Sequence, residues 1–318
     1  MKARRSGRAF SAAADPAVAR VLDAEARLFA SYELEHTVDW IERKGSKGRI
    51  RTVEVGNGAP VVLLHGAGVF SAHWAPLIAH TDRRCIAIDL PGASLSDATP
   101  EPASDLRSAA VRDLVELLDV LELHDVPLIA ASYGAMCALW TIAEDAASPP
   151  AVVVLGSPAL AFPGVRLLRP AALAGLPGVG RVAPLVAPLH RNVTRALLTA
   201  AIGSRALRDK PRELIDATHA LFRLPHYRRS MWRLLGSFVD RNGPSLALSN
   251  EDLAAIDVPV MFVWGTRDVY MKAAQGRVAV ERMPNATLEI VDAGHAPWLD
   301  DPALCAARID TFLRSEGC

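Results

Sequence analysis

Three side chains in this chain of 318 residues are of the types that together perform acyl transfer. Ser132 lies in Leu128-Ile129-Ala130-Ala131-Ser132-Tyr133-Gly134-Ala135, where an apolar strand-like run gives way to a helical one. A serine at such a junction sits on a sharp, strained turn that exposes its hydroxyl. Small neighbours are needed there because main chain and helix approach closely. The hydroxyl is a weak nucleophile at neutral pH unless a base takes its proton. His295, in Ala293-Gly294-His295-Ala296-Pro297-Trp298, is the candidate base, just past the last apolar run. Asp268, in Trp264-Gly265-Thr266-Arg267-Asp268, is a candidate for fixing the imidazole tautomer and stabilising the imidazolium. Taken singly, each has an ordinary reading: a strand–turn–helix junction, a bracing loop histidine among nine, a turn-forming aspartate. Taken together they run Ser, Asp, His, each at the carboxyl end of a predicted strand, the edge where open α/β sheets place their sites.

A fourth piece is His65-Gly66-Ala67-Gly68, directly after the apolar run 61–64. A glycine-containing turn there can aim a backbone N–H at a developing oxyanion, with the N–H after the candidate nucleophile, that of Tyr133, as second donor. One such donor is worth about 3 kcal/mol of barrier. The alternative is a plain strand-to-loop turn, and His65 itself reads as a bracing residue.

The elements that must position these groups are legible as alternating patterns. Short, continuously apolar runs at 61–64, 85–88, 127–130, 152–155, 260–263 and 288–291 fit strands buried on both faces. Helical patterns separate several of them. The clearest covers 105–123, with Leu114, Leu117, Leu118 and Leu121 inward and Asp113, Glu116 and Asp119 outward. A strand at 35–42 and a hairpin partner at 50–55 precede them. This alternation predicts a mostly parallel central sheet flanked by helices. The rhythm breaks after the sixth strand, where 159–250 is rich in proline and helical segments and reads as a cap inserted over one edge. The expected organisation is a tail and helix at 1–34, a core from 35–158 and 251–318, and the helical cap between. In the first helix Val18, Val21, Leu22, Ala26 and Phe29 fall on one side, which should dock on the body or the rim of the cap; a membrane-surface anchor or a dimer contact is the alternative.

These motifs resemble the α/β-hydrolase superfamily, specifically its cap-bearing branch of serine esterases, thioesterases and carbon–carbon hydrolases. The matching pieces are His65-Gly66-Ala67-Gly68, Asp89-Leu90-Pro91-Gly92, Ser132 in its elbow, Trp264-Gly265 with Asp268, and Gly294-His295 with Pro297. The resemblance implies Ser132 as nucleophile, His295 as base, Asp268 as orienting acid, and the N–H groups of Ala67 and Tyr133 as oxyanion hole. Two positions depart from the usual pattern. Ala130 stands where the elbow has glycine, and Gly92-Ala93-Ser94-Leu95-Ser96 replaces the usual Gly-x-Gly-x-Ser. Serine at the elbow disfavours the epoxide and carbon–halogen hydrolases of the superfamily, which use aspartate.

Phe70, Trp74 and Trp298 flank the candidate machinery and are placed either to line an apolar pocket or to pack in the core. Phe162, Phe222, Tyr227, Trp232 and Phe238 add aromatics from the cap. Such surroundings fit a small apolar ester or thioester better than a peptide or sugar. Formal net charge is zero, which argues against a nucleic-acid partner, yet 159–250 holds 14 Lys and Arg against four acids. That basic cap would suit coenzyme A or an acidic carrier protein; a solvated lid whose arginine stems cover apolar surface is the plainer reading. Four scattered cysteines form neither a disulfide framework nor a zinc site. No metal site is apparent, and a serine triad needs no cofactor. With no apolar run near the ~20 residues of a membrane helix, and no signal-peptide pattern, a soluble, cytoplasmic chain is expected. The expected activity is hydrolysis of a carboxylic ester through an acyl-enzyme. Thioester cleavage, carbon–carbon hydrolysis, acyl transfer, a lyase reaction and a non-catalytic receptor are the alternatives.

Overall fold

The computed structural model describes residues 15–45, 48–98, 105–165, 190–203, 205–207, 212–239 and 245–318. Helix α1 (Pro16–Ala30) leads into the hairpin β1 (Thr37–Glu42) and β2 (Arg49–Val55). There follow β3 (Pro60–Leu64), α2 (Ala75–Ile78), β4 (Arg84–Asp89), α3 (Leu106–Leu121), β5 (Leu128–Ala131), α4 (Tyr133–Ala143) and β6 (Val152–Leu155). Between β6 and the next strand the described residues form only helices, chiefly α5 (Arg191–Ile202), α6 (Arg212–Phe222), α7 (Pro225–Phe238) and α8 (Asn250–Ala255). The chain closes with β7 (Val260–Gly265), α9 (Ala273–Val280), β8 (Ala286–Val291), α10 (Pro297–Asp300) and α11 (Pro302–Ser315). The first expected cap arginines, Arg166, Arg169 and Arg181, lie outside the described residues, as does the basic tail before residue 15.

The eight strands form one sheet in the order β1-β2-β4-β3-β5-β6-β7-β8. The first two junctions, β1–β2 and β2–β4, are antiparallel, and all others are parallel. The side-chain period of two explains the apolar runs. Val61, Leu63, Ile129, Ala131, Val153, Leu155 and Val263 face α1, α2 and α11, whereas Val62, Leu64, Leu128, Ala130, Val152, Val154 and Phe262 face α3, α4, α8 and α9. Both faces are covered, so no position on these strands can be polar without a buried partner.

Two expected helix faces are corrected. On α1 the buried residues are Val18, Val21, Ala24, Glu25, Leu28 and Phe29, while Leu22 is half-buried and Ala26 exposed. A charged residue is inside because a charged partner waits for it in the sheet. On α3, Asp113 and Glu116 are half-buried rather than free in solvent; Arg43, at the end of the β1–β2 hairpin, reaches both, at 2.5 Å and 2.6 Å.

Gly134, two residues past the elbow, fixes how closely α4 meets β3. A Cβ there would lie 2.4 Å from the Leu64 carbonyl oxygen and 2.7 Å from that of His65. Both obstacles are main chain, so relief requires prising α4 from the end of β3. Gly134→Ala should therefore lose about 1–3 kcal/mol of stability, read as a lower urea midpoint, together with activity.

Candidate active site

Ser132 follows β5 with φ 49° and ψ −113°, a conformation costing about 1–3 kcal/mol for a side-chain-bearing residue. It is the N-cap of α4, and the strain lifts its side chain clear of the strand end. Gly66 makes room for it, since a Cβ at 66 would stand 3.0 Å from the Ser132 Cβ and 3.6 Å from its hydroxyl. Ala130 is accommodated as a fully buried strand residue paired with Leu64 across β3, so glycine is not required there.

His295 and Asp268 come together directly. Asp268 follows β7, His295 follows β8, and imidazole Nδ1–H donates to carboxylate Oδ2 at 2.9 Å. The backbone N–H of Ser157 donates to the same oxygen at 2.9 Å, and that of Tyr270 to Oδ1 at 2.9 Å. Burial alone would raise the Asp268 pKa; the charge and hydrogen bond of His295, with those two amides, outweigh it and hold the carboxyl below its ordinary range. The ring of Tyr270 meets the imidazole edge-on, centroids 4.4 Å apart, and Ser157 Oγ lies 3.3 Å from Nδ1. Neither Ser157 nor Tyr270 stands out in the sequence; the only signal is their proximity to the ends of β6 and β7. Ser132 stands apart from this pair: its hydroxyl makes no hydrogen bond to His295 or to any other described residue, and neither Ser132 nor His295 lines the adjoining cavity.

The two expected amide donors border a common cavity. Ala67 and Tyr133 line a space of about 240 Å³ that also takes in Leu90–Ala93, the start of α3, and Tyr227, Ser230, Met231, Arg233 and Leu234 of α7. Tyr133 is the first residue of α4, so its N–H has no partner within the helix. His65 braces this turn: Nδ1–H donates to the Gly66 carbonyl at 2.8 Å, and Nε2 accepts from Leu90 N–H at 3.1 Å.

Phe70, Trp74 and Trp298 do not line the cavity. Phe70 is fully buried, and Trp74 and Trp298 pack on each other with centroids 4.8 Å apart. A single 3-10 turn at Ser71–Trp74 carries the first two down into the core beneath α1 and α6. Of the aromatics expected in a cap, Phe162 stacks in the core against Phe262 and Trp264, whereas Tyr227 borders the cavity and Phe238 packs on Tyr133.

The same turn contains His73, missed in the sequence. Its Nδ1 accepts from the Phe70 N–H, leaving Nε2–H for Thr218 Oγ1 on α6 at 2.9 Å, whose own proton goes to the Leu214 carbonyl. Its carbonyl accepts the Trp298 indole N–H at 3.1 Å. Burial, with the nearby His65 adding to it, lowers the His73 pKa to about 3. The unfolded chain then binds a proton that the folded chain refuses, so stability is lost as pH falls from about 6.5 toward 3. His73→Gln should flatten the dependence of unfolding free energy on pH in that window by up to about 1.4 kcal/mol per pH unit, measured by urea titration.

Among the described residues no group of His, Cys, Asp and Glu could hold a metal ion, the cysteines are free thiols, and no helix is long and apolar enough to cross a membrane.

The family model described as the alpha/beta hydrolase family matches residues 61–308. An uncharacterised protein of Mycobacterium tuberculosis is 28% identical over 269 residues, 81% of this chain and 76% of that one. The 2-hydroxy-6-oxononadienedioate/2-hydroxy-6-oxononatrienedioate hydrolase 2 of Pseudomonas putida is 28% identical over 297 residues, covering 82% and 94% of the two chains. Among solved structures, the carboxylesterase CesB of Bacillus subtilis superposes with a TM-score of 0.73 at 21% identity, over 94% of this chain and 99% of that one, a likeness of fold. With an eight-stranded sheet of matching architecture and a family match across most of its length, the chain belongs to the alpha/beta hydrolase family and is an enzyme of the hydrolase class.

Proposed function

We propose that the protein hydrolyses a carboxylic ester of a small apolar substrate through an acyl-enzyme, with Ser132 as nucleophile. The observation that carries this reading is a serine held in a strained elbow (φ 49°) on the same sheet edge as a bonded His295–Asp268 pair. In the reaction the Ser132 hydroxyl turns to His295 Nε2 as substrate enters, because catalytic hydrogen bonds tighten in the loaded enzyme. Its oxygen bonds the acyl carbon while its proton passes to Nε2. The carbonyl oxygen takes the negative charge against the N–H groups of Ala67 and Tyr133. Imidazolium then gives its proton to the leaving alcohol, and the carbon–oxygen bond to it breaks. A water molecule, deprotonated by the same nitrogen, cleaves the acyl-enzyme and releases the acid. The helices α5–α7 act as a cap, presenting Tyr227, Met231 and Leu234 to the bound apolar group.

Carbon–carbon hydrolysis is the second reading, favoured by the Pseudomonas putida relative, which this chain covers almost throughout. Thioester cleavage has a narrower support. Arg195, Arg229 and Arg233 of α5 and α7, and Arg223 in the link between α6 and α7, are exposed and have no carboxylate partner among the described residues. A panel of p-nitrophenyl esters, acyl thioesters and a vinylogous 1,5-diketo acid separates the three, with labelling by a fluorophosphonate probe as the test of Ser132. Turnover of the diketo acid alone would replace the ester reading by the second. A preference for a thioester that salt erases would favour the third.

A further inference from the structure

The turn carrying Ala67 is anchored at both ends to the end of β4, at Asp89 and the residue after it. His65 at its start takes the Leu90 N–H, and Ser71 beyond it is held by Asp89, whose Oδ1 accepts from Ser71 N–H at 2.9 Å and from its hydroxyl at 2.7 Å. Asp89 is wholly buried, and its other carboxylate oxygen accepts from Arg51 Nη1 at 3.0 Å. Arg51, on β2, is also wholly buried and reaches Glu25 of α1 with both Nη1, at 3.1 Å, and Nη2. The guanidinium lies over the Trp40 ring, 5.6 Å from its centroid, while its backbone N–H donates to Ser96 Oγ. Three charges therefore form one dry line from the N-terminal helix to the segment that bears a candidate oxyanion donor. Glu25 and Arg51 both precede residue 61, where the family match begins, so that match assigns them no role.

We propose that Glu25 is a positioning residue for the reaction: through Arg51 and Asp89 it sets the turn that carries the Ala67 N–H. This rests on the proposed use of that N–H as an oxyanion donor. A buried guanidinium between two carboxylates has one arrangement that satisfies both. Without the Glu25 charge, Arg51 is free to swing wholly onto Asp89, which then competes with Ser71 for the same carboxylate. Between the anchors at His65 and Ser71 the middle of the turn has room to shift. Gly68, with φ +84°, meets nothing within 4 Å of where its Cβ would be. A donor displaced by a fraction of an ångström loses most in the transition state, where the oxygen carries charge, and little in the ground state. Helix α1 is in this view a working part of the active site, and it also packs along α6, whose Thr218 holds His73 in the same segment.

The test is Glu25→Gln in the full chain. Against a p-nitrophenyl ester, kcat should fall about tenfold with KM changed less than twofold, a part of the 10²–10³ expected for losing a whole donor. Binding of a phenylboronic acid, which presents a tetrahedral oxyanion mimic, should weaken by the same factor. A lower melting temperature with kcat and boronate binding unchanged would make Glu25 structural only and overturn the proposal. Ser71→Ala breaks the last link while leaving the three charges intact, and so remains informative if the Gln variant does not fold. It should lower kcat and boronate affinity together, and a Ser71→Ala enzyme with both unaltered overturns the proposal. Where both variants fold, their combination should be little worse than either alone; additive losses would show two independent effects and also overturn it. A wild-type chain that neither cleaves esters nor reacts with a fluorophosphonate removes the underlying function, whereas an active wild type with an unaltered Gln variant removes only the role of Glu25.

Discussion

Ser132→Ala should reduce ester hydrolysis by about 10⁶-fold in kcat and abolish fluorophosphonate labelling, with the melting temperature little changed. The magnitude follows from the division of labour at the site. Without the hydroxyl there is no acyl-enzyme, and only the oxyanion donors and binding remain, which by themselves accelerate the reaction about 10³–10⁴-fold over water. The fold should tolerate the change because alanine inherits the same φ of 49°, and because the Ser132 hydroxyl satisfies no other group among the described residues. Retained turnover in a purified Ser132→Ala enzyme would place the nucleophile elsewhere and end the proposed mechanism.

Asp268→Asn should lower kcat by about 10⁴-fold, for a reason visible in the acceptor arrangement. The Asp268 carboxylate takes the His295 Nδ1–H and the Ser157 N–H on Oδ2, and the Tyr270 N–H on Oδ1. An asparagine has one acceptor oxygen for these two groups of donors. With its oxygen on Tyr270, its NH₂ faces imidazole Nδ1 and forces the tautomer that carries the proton on Nε2, which then cannot take one from Ser132. That rotamer also leaves the Ser157 N–H facing a donor, and the reverse rotamer leaves the Tyr270 N–H facing one, each at about 1–3 kcal/mol. Stopped-flow labelling and urea titration of the same variant separate the two costs. A variant with full labelling rate would show that the carboxylate is not needed to orient the base. The carboxyl is held below its usual pKa range, so the stability it contributes is complete above its unfolded value near 3.9 and is lost only as pH falls through the folded one.

Much of this molecule is legible in the sequence because its signals are local. The apolar runs coincide with β3, β4, β5, β6, β7 and β8, with ends displaced by two residues at most. The first five are buried on both faces, which leaves no choice of side chain, whereas β8, at the sheet edge, is only half-covered and leaves Ile290 exposed. Asp105 marks the start of α3 because an N-cap carboxylate must accept from the Arg107 and Ser108 amides. His65 reads as a brace and is one. The aromatic pocket is the opposite case: Phe70, Trp74 and Trp298 flank the machinery in sequence, yet the 3-10 turn after residue 70 and the start of α10 direct them into the core.

What the sequence determined by itself was the architecture and the strand ends from which Ser132, Asp268 and His295 project, because hydrophobic period and small-residue turns act over a few neighbours. Only the tertiary structure decided which polar groups meet. Glu25 with Arg51 and Asp89, His73 with Thr218, Ser157 with Asp268, and α7 across the cavity from Ala67 are all pairings between elements distant in the chain. A buried charge or imidazole is tolerable only beside its complement, and where that complement lies is fixed by the order of strands in the sheet, which no local run of residues encodes.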